Sequence, residues 1–372
     1  MTAPSSLLDL DDVDALLAAD VDGSLRFAAL GGAQIRATQA TVEEDGLARL
    51  HGLQPRSVVL VTGDGCASRA AELLTAAVGS RIGIPLVESV GTPKWVGPLD
   101  VVVVAGDDAG DPRLVESVDH ALGRGAEVVI AAPEEGPLRA AGAGRATTLP
   151  PRVAVPDHHG LLRYVAVFLA VLIAIESERV AAVCPDLGRL ADAVDDEALR
   201  DHPRNEVFHN PAKSLAARIR RRRVVLSGDT RATTHLARHG AEVLLRTGGA
   251  VAAAADLSEV LAAGPLFDAT GSMPAGEDSL FHDEQIDGPM PGMPLRVFVF
   301  ASEANRPAIE RRVAALRDAD VVVAASDQAG PLGPPGSPTE TTAVARAEIE
   351  QIAVLVSRLE MSAAYLHLIG GS

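Results

Sequence analysis

Cysteines, aromatic residues and long apolar runs are all scarce in this sequence. Only two of its 372 residues are cysteine and 3% are aromatic, so a disulfide framework is excluded and the core must consist mostly of Val, Leu, Ala and Ile. The most apolar run, Tyr164–Ile175, has about 12 residues, well short of the roughly 20 that span a bilayer. The opening stretch, MTAPSSLLDLDDVD, contains no basic region of the kind that begins a signal peptide. We therefore expect a cytoplasmic protein with no membrane partner.

Basic residues are outnumbered by acidic ones, 33 to 50, which gives a net charge of −17. Because binding to a nucleic-acid backbone needs a basic face, nucleic acid is not an expected partner. Gly63 and Gly65 lack the third glycine of a dinucleotide fingerprint. Asp157, His158 and His159 are adjacent in sequence, an arrangement that does not converge on one metal ion. We expect neither a cofactor nor a metal.

Short apolar runs alternate with amphipathic stretches in two similar series, a pattern typical of parallel sheets with right-handed crossovers. In the first series the predicted strands and helices are Ser57–Thr62, helix Asp64–Val78, Ile84–Val87, Asp100–Ala105, helix Pro112–Arg124 and Glu127–Ala131. In the second series they are Arg223–Ser227 and the helix after it, Pro265–Ala269, Leu295–Ala301, helix Asn305–Arg317 and Asp320–Ala324. One long helix, Thr342–Ile369, is predicted to close the chain.

These patterns predict an α/β fold with two parallel-sheet domains and a long C-terminal helix. The expected divisions are a helical arm at 1–50, a first domain at 51–155, a helical linker at 156–204, a second domain at 205–330 and the final helix at 338–372. The Tyr164–Ile175 run is apolar on all sides, so it should lie between domains or at a dimer interface.

The strand-to-helix corner VVVVAGDDAGDP, residues 101–112, carries three aspartates where an α/β protein usually binds a phosphate. Two interpretations are open. Asp107, Asp108 and Asp111 can cap the helix that starts at Pro112. Alternatively, the corner serves a different ligand, such as a neutral sugar, a ligand that bears a cation, or a metal-bridged phosphate.

Four stretches together resemble the SIS (sugar isomerase) superfamily, and within it the bifunctional phosphoglucose/phosphomannose isomerases and their actinobacterial TobH-like relatives. They are QPRSVVLVTGDG, TPKWVGPLDVVVVAG, GRGAEVVIA and HNPAKSLAARI. The resemblance covers most of the chain from about residue 50 onward. It implies two SIS-like three-layer α/β/α domains, a homodimer, a sugar or sugar-phosphate ligand and aldose–ketose isomerisation through an enediol. It implies no metal and no nicotinamide.

The resemblance also implies where the ligand binds. The family's glycine turn falls on Gly63 and Gly65, with Ser68 as the nearest hydroxyl. The family's phosphate loop, Ser-x-Ser-Gly-Asn-Thr, falls on residues 105–110, which include Asp107 and Gly110. All three hydroxyl positions of that loop are lost here, and one of them is Asp107.

Two basic residues in stretches that match the family are candidate ligand contacts. Arg152, in a Pro-Arg pair, is the best remaining anion contact, with a surface arginine as the alternative. Lys213, in the Asn-Pro-Ala-Lys stretch, could reach an interdomain cleft. The structural alternative is that Asn210 and Pro211 simply begin a helix there.

The catalytic residues of the family are not found at their usual positions. The segment that should supply the glutamate base reads Arg246-Thr247-Gly248-Gly249-Ala250 and has no carboxylate. The ring-opening histidine falls one residue early, so His282 and Glu284 are the candidate acid–base pair, and a solvated acidic loop is the alternative. Two functions therefore stay open, a phosphosugar isomerase and a non-catalytic SIS protein that binds a sugar or a partner and regulates sugar metabolism.

Overall fold

A computed structural model describes residues 8–175, 178–269, 293–324 and 338–370. Among the described residues, three α-helices precede the first strand: α1 (Val13–Ala19), α2 (Ser24–Ala28) and α3 (Gly31–Glu43). The rest is an α/β structure with two wholly parallel sheets. The predicted α/β fold class is thereby confirmed.

The first sheet has the strand order β2-β1-β3-β4-β5. Its elements are β1 (Ser57–Thr62), α4 (Cys66–Val78), β2 (Leu86–Ser89), β3 (Asp100–Ala105), α5 (Pro112–Gly123), β4 (Glu127–Ala131), α6 (Gly136–Gly142) and β5 (Thr147–Thr148). The strands predicted in this half are confirmed, with β2 displaced by two residues from the expected run.

Strand β3 lies at the centre of this sheet and is buried along its whole length. Val101 and Val103 pack into the core on one face, and Val102 and Val104 pack into a separate core on the other. Successive side chains of a strand point to opposite faces, so an unbroken valine run fits a strand with helices on both sides. This arrangement is the three-layer α/β/α architecture.

Four helices connect the two sheets: α7 (Leu161–Ala174), α8 (Glu178–Val183), α9 (Leu187–Arg200) and α10 (Pro211–Ile219). Every residue of α7 except Ile173 is buried. The second sheet follows, with order β7-β6-β8-β9. Its elements are β6 (Arg223–Gly228), α11 (Arg231–Arg246), β7 (Ala252–Asp256), α12 (Leu257–Ala269), β8 (Leu295–Phe300), α13 (Arg306–Val313) and β9 (Ala319–Val322), and α14 (Pro338–Leu368) ends the fold.

One predicted strand of the second half is wrong. Pro265–Ala269 forms the end of helix α12, and the strand that pairs with β6 is Ala252–Asp256. Its sequence, AAAAD, has the best helix former at four positions, so local propensity does not indicate a strand. Pairing with β6 overrides that propensity because β7 hydrogen-bonds along its whole length to a buried neighbour.

The largest core lies between the two sheets and includes α7, α11 and the described side chains of α14. Both α7 and the described part of α14 are therefore buried by the chain itself. Of the two positions expected for the Tyr164–Ile175 run, the one inside the chain, between the two sheets, accounts for its apolar surface. None of the helices that the structure describes is long and apolar enough to cross a membrane.

Candidate functional site

The carboxyl ends of β1 and β3 meet at one edge of the first sheet, where α4 begins. Gly65 precedes α4 with φ of 87° and ψ of −137°, a backbone conformation that glycine adopts readily and other residues rarely adopt. Gly106 follows β3, and a Cβ there would lie 2.7 Å from Leu114 Cδ1. Among the described residues, no side chain caps α4. Its first amides therefore remain available to a ligand at this edge.

Two of the three aspartates in the neighbouring loop stabilise the loop itself. Asp111 Oδ1 accepts a hydrogen bond from the Arg113 amide at 2.8 Å and caps α5. Asp108 Oδ1 accepts one from the Gly110 amide at 2.7 Å. For these two residues the capping and turn-forming interpretation is the one that the structure supports.

Asp107 makes a different contact. Its carboxylate accepts a hydrogen bond from the Tyr164 hydroxyl at 2.7 Å, and Tyr164 is a fully buried residue of α7. Asp107 itself keeps a solvent-exposed surface. Partial burial of the carboxylate against α7 raises the pKa of Asp107, although Tyr164 and Arg163 oppose that shift. Asp107 is thus an exposed carboxylate at this edge of the sheet, and it has no ion-pair partner among the described residues.

The end of α11 and the turn before α7 form a wall on the opposite side of this edge of the sheet. Arg246, the last residue of α11, donates from Nη2 to both carboxylate oxygens of Asp157 at 2.7 and 2.9 Å. His158 Nδ1 lies 3.3 Å from the same carboxylate. Burial alone would raise the pKa of Asp157, but hydrogen bonds from Arg246 and His158 lower it. Burial lowers the pKa of His158.

The residues that the resemblance placed on this edge lie in the β1–α4 and β3–α5 connections, which follow neighbouring strands of the sheet, and in the first turn of α4. Gly63 donates its amide to Ala105 O at 2.8 Å, which ties the two corners together. Ser68 lies in the first turn of α4, half-buried. Gly110 lies in the β3–α5 loop, with its amide bonded to Asp108. The structure therefore brings Gly63, Gly65, Ser68, Asp107 and Gly110 to one edge of the first sheet.

Arg152 and Lys213 are engaged elsewhere. Arg152 donates to both carboxylate oxygens of Glu44 at 3.0 and 2.5 Å, on the exposed surface beside α3. Lys213 is fully buried, and its ammonium donates to Pro203 O and Asn205 O, both at 2.7 Å. We leave both residues out of the proposed site because their charges serve contacts within the protein. His282 and Glu284 lie outside the described residues.

Asp201, near Lys213, gives a pH-dependent prediction. It is fully buried, and burial and the Glu197 carboxylate raise its pKa to about 8. Since the folded-state pKa lies above the unfolded value near 3.8, the folded chain holds a proton that the unfolded chain releases. The contribution of Asp201 to stability is then greatest below about pH 4 and falls as the pH rises towards 8, by about 1.4 kcal/mol per pH unit at most.

Asp201→Asn is expected to remove this slope, because asparagine does not titrate and its oxygen still accepts the Ala212 amide bond that Asp201 Oδ1 accepts at 2.9 Å. Urea unfolding at pH 5.5, 7 and 8.5 measures the free energy of unfolding of both proteins. The stability of the wild type minus that of the variant should decrease as the pH rises. Two parallel curves would show that the Asp201 carboxyl has an ordinary pKa.

Tyr164, Arg246 and the roles of Asp157 and His158 were not predicted from the sequence. In the sequence, Tyr164 is part of an apolar run. A buried tyrosine hydroxyl usually needs a hydrogen-bond partner, and that requirement is the available signal. The sequence suggests Asp157 and His158 only as metal ligands. Among the described residues, no group of three potential ligands is placed to hold a metal.

At the equivalent edge of the second sheet, threonine hydroxyls are present, but they bond to neighbouring groups of the same edge. Thr230 and Thr233 form a reciprocal capping box at the start of α11. Asp229 accepts hydrogen bonds from Thr233 Oγ1 at 2.9 Å and from Asn305 Nδ2 at 2.8 Å. With its side chains paired to one another, this edge offers less to a ligand than the first edge does.

Comparison with known proteins gives matches among solved structures. No protein-family model matches the sequence, and a search of curated proteins finds no match. Tagatose-6-phosphate ketose/aldose isomerase from Escherichia coli superposes with a TM-score of 0.57 at 16% identity, over 98% of this chain and 95% of that chain. A glucose-6-phosphate isomerase like protein from Thermus thermophilus gives 0.51 at 18% identity, over 98% and 94%. Hypothetical protein TT0462 from the same organism gives 0.58 at 13% identity, over 98% and 91%.

The chain has the α/β fold of these solved structures. Its structural neighbours are phosphosugar isomerase-like proteins, and they match it over nearly its whole length. At these identities the likeness establishes the α/β/α architecture and the order of its elements. The function has to be argued from the residues at the edge of the first sheet.

Proposed function

We propose that this chain is a SIS-type protein of sugar metabolism that binds a sugar at the β1/β3 edge without isomerising it. In this proposal the two sheets are the cores of two domains, with the boundaries expected from the sequence, and the protein is a cytoplasmic homodimer. The observation that carries the proposal is Asp107, a carboxylate at the position where the resemblance expects a phosphate-binding hydroxyl.

The charges at this edge disfavour an anionic group. Asp64 and Asp111 both pair with Arg113, and Asp157 pairs with Arg246. Among the described residues, the Asp107 carboxylate has the neutral Tyr164 hydroxyl as its one direct hydrogen-bond partner. A phosphate within about 4 Å of it would be repelled by about 1 kcal/mol even at the dielectric constant of water. A sugar hydroxyl, in contrast, can donate to Asp107.

Asp107→Asn is expected to strengthen binding of sugar phosphates by about fivefold, the factor that corresponds to about 1 kcal/mol. The amide removes the charge while its oxygen still accepts from Tyr164. The measurement is calorimetric titration with fructose, mannose and glucose and with their 6-phosphates, on wild type and variant. Wild type should prefer the unphosphorylated sugar of each pair.

Asp108→Asn is the matched control, because Asp108 lies beside Asp107 but its carboxylate accepts the Gly110 amide of its own loop. It should leave the preference nearly unchanged. Tight binding of the 6-phosphates by the wild type, unaffected by Asp107→Asn, would contradict the proposal. A complete lack of sugar binding by both proteins would also contradict it.

A second candidate is aldose–ketose isomerisation of a phosphoglucose/phosphomannose type, in a TobH-like relative of those enzymes. It is favoured by the uncapped start of α4, whose amides suit an anion. The test is conversion of fructose 6-phosphate to mannose 6-phosphate and glucose 6-phosphate. Turnover that His282→Ala and Glu284→Ala abolish would establish the isomerase, and its absence supports the binding protein. Sedimentation equilibrium checks the homodimer in the same preparation.

A further inference from the structure

A buried carboxylate bridges two buried histidines beneath the candidate site. Glu360 Oε2 lies 2.7 Å from His159 Nδ1, and Glu360 Oε1 lies 3.3 Å from His239 Nε2. The three side chains have exposed fractions of 3% or less. They come from three different elements, since Glu360 lies on α14, His239 on α11 and His159 in the turn before α7.

The carboxyl group of Glu360 is ionised in this bridge. Burial alone would raise the pKa of Glu360, but the hydrogen bonds from His159 and His239 hold it below its usual range. An ionised carboxylate only accepts hydrogen bonds, so each imidazole nitrogen that faces it donates. Removing the charge from such a group leaves the donors with a weaker acceptor in an environment without water.

The two histidines lie next to the residues that form the wall opposite the β1/β3 edge. His159 is flanked by His158 and follows Asp157, and Gln34 Nε2 donates to its carbonyl oxygen at 3.0 Å. The amide of Tyr164 bonds to the carbonyl of Gly160 in the same turn. His239 lies two helical turns before Arg246 on α11. The bridge and the Asp157–Arg246 ion pair therefore join the same two segments, one inside the protein and one at its surface.

We infer that Glu360 is a positioning residue of the candidate site, which fixes the 157–160 turn against the C-terminal half of α11 and so holds in place the wall that lies opposite the β1/β3 edge. The inference rests on the proposed function for the identity of the site. The geometry of the bridge is independent of the ligand. A buried polar bridge of this kind stabilises one arrangement of its elements where an apolar contact would tolerate several.

The test is hydrogen–deuterium exchange on the full chain without ligand, comparing wild type with Glu360→Gln. The variant keeps the side-chain shape and loses the charge. Exchange is expected to rise about tenfold or more in both 157–164 and 239–246, because local opening becomes easier there, and to stay unchanged in α5. The ring ¹⁵N signals of His159 and His239 should shift, while those of His202 should not. Exchange that rises only within α14, or equally in every helix, would overturn the inference.

Glu348→Gln is the matched control, since Glu348 lies on the same helix and pairs with Arg81 at 2.9 Å. It should leave both segments unchanged. If Glu360→Gln does not fold, His239→Gln decides: a rise confined to 239–246 supports the inference and no rise overturns it. Because no ligand is used, a failure of sugar binding leaves this result standing, and an overturned bridge leaves the sugar titrations interpretable.

Discussion

Gly228→Ala is expected to destabilise the chain by roughly 3 kcal/mol or more. Gly228 ends β6 directly beneath the first turn of α11, and a Cβ there would lie 2.2 Å from Thr233 C and from Thr234 N. These are backbone atoms, so the overlap cannot be relieved by a change of rotamer. The helix must move away from the strand, and its contacts with the core weaken as it does. Urea unfolding with two spectroscopic probes measures the loss.

Gly123→Ala is the matched control for this prediction. Gly123 ends α5 and has nothing within 4 Å of an added Cβ. The same substitution there should stabilise the chain by about 0.5–1 kcal/mol, since alanine loses less backbone entropy in a helix. Equal effects at the two positions would mean that β6 and α11 do not pack as closely as the structure has them.

The parts of the fold that were predictable from sequence are those with strong local patterns. The valine run Val101–Val104 is buried on both faces of the sheet, and that burial is what makes each of its four positions apolar. Strand Ala252–Asp256 was not predictable, because alanine carries no strand signal and only the pairing with β6 determines its conformation. Packing of α7 inside the chain was likewise one of two equal alternatives, because an apolar helix does not specify what covers it.

The contacts of the candidate site show the same difference between local and long-range interactions. The cap that Asp111 provides two residues away is a local contact, and the sequence indicated it. The Asp107–Tyr164 hydrogen bond joins residues 57 positions apart, and the His159–Glu360 contact joins residues 201 positions apart. Neither partner has a pattern that specifies the other, so the resemblance indicated Asp107 as a candidate site residue but not its contact with Tyr164.

Lys213→Met should destabilise the chain by about 2–4 kcal/mol. Methionine has a similar length but donates no hydrogen bond, so the carbonyls of Pro203 and Asn205, each 2.7 Å from the Lys213 ammonium, lose a donor inside the protein. The contact of the ammonium with the Tyr365 ring, 5.7 Å from the ring centre, is lost as well. Thermal and urea unfolding measure the effect.

The same variant separates a structural lysine from one that binds the ligand. If Lys213 serves only the 203–205 segment, folded Lys213→Met binds each sugar with the affinity of the wild type, even though it unfolds at lower urea. Lys94→Met provides the comparison, because Lys94 is exposed and should change neither quantity by much. Lys213→Met with wild-type stability and weakened binding of the 6-phosphates would instead assign Lys213 to an anion site. A buried cation would then be available to balance the phosphate, and the isomerase would be favoured over the sugar-binding protein.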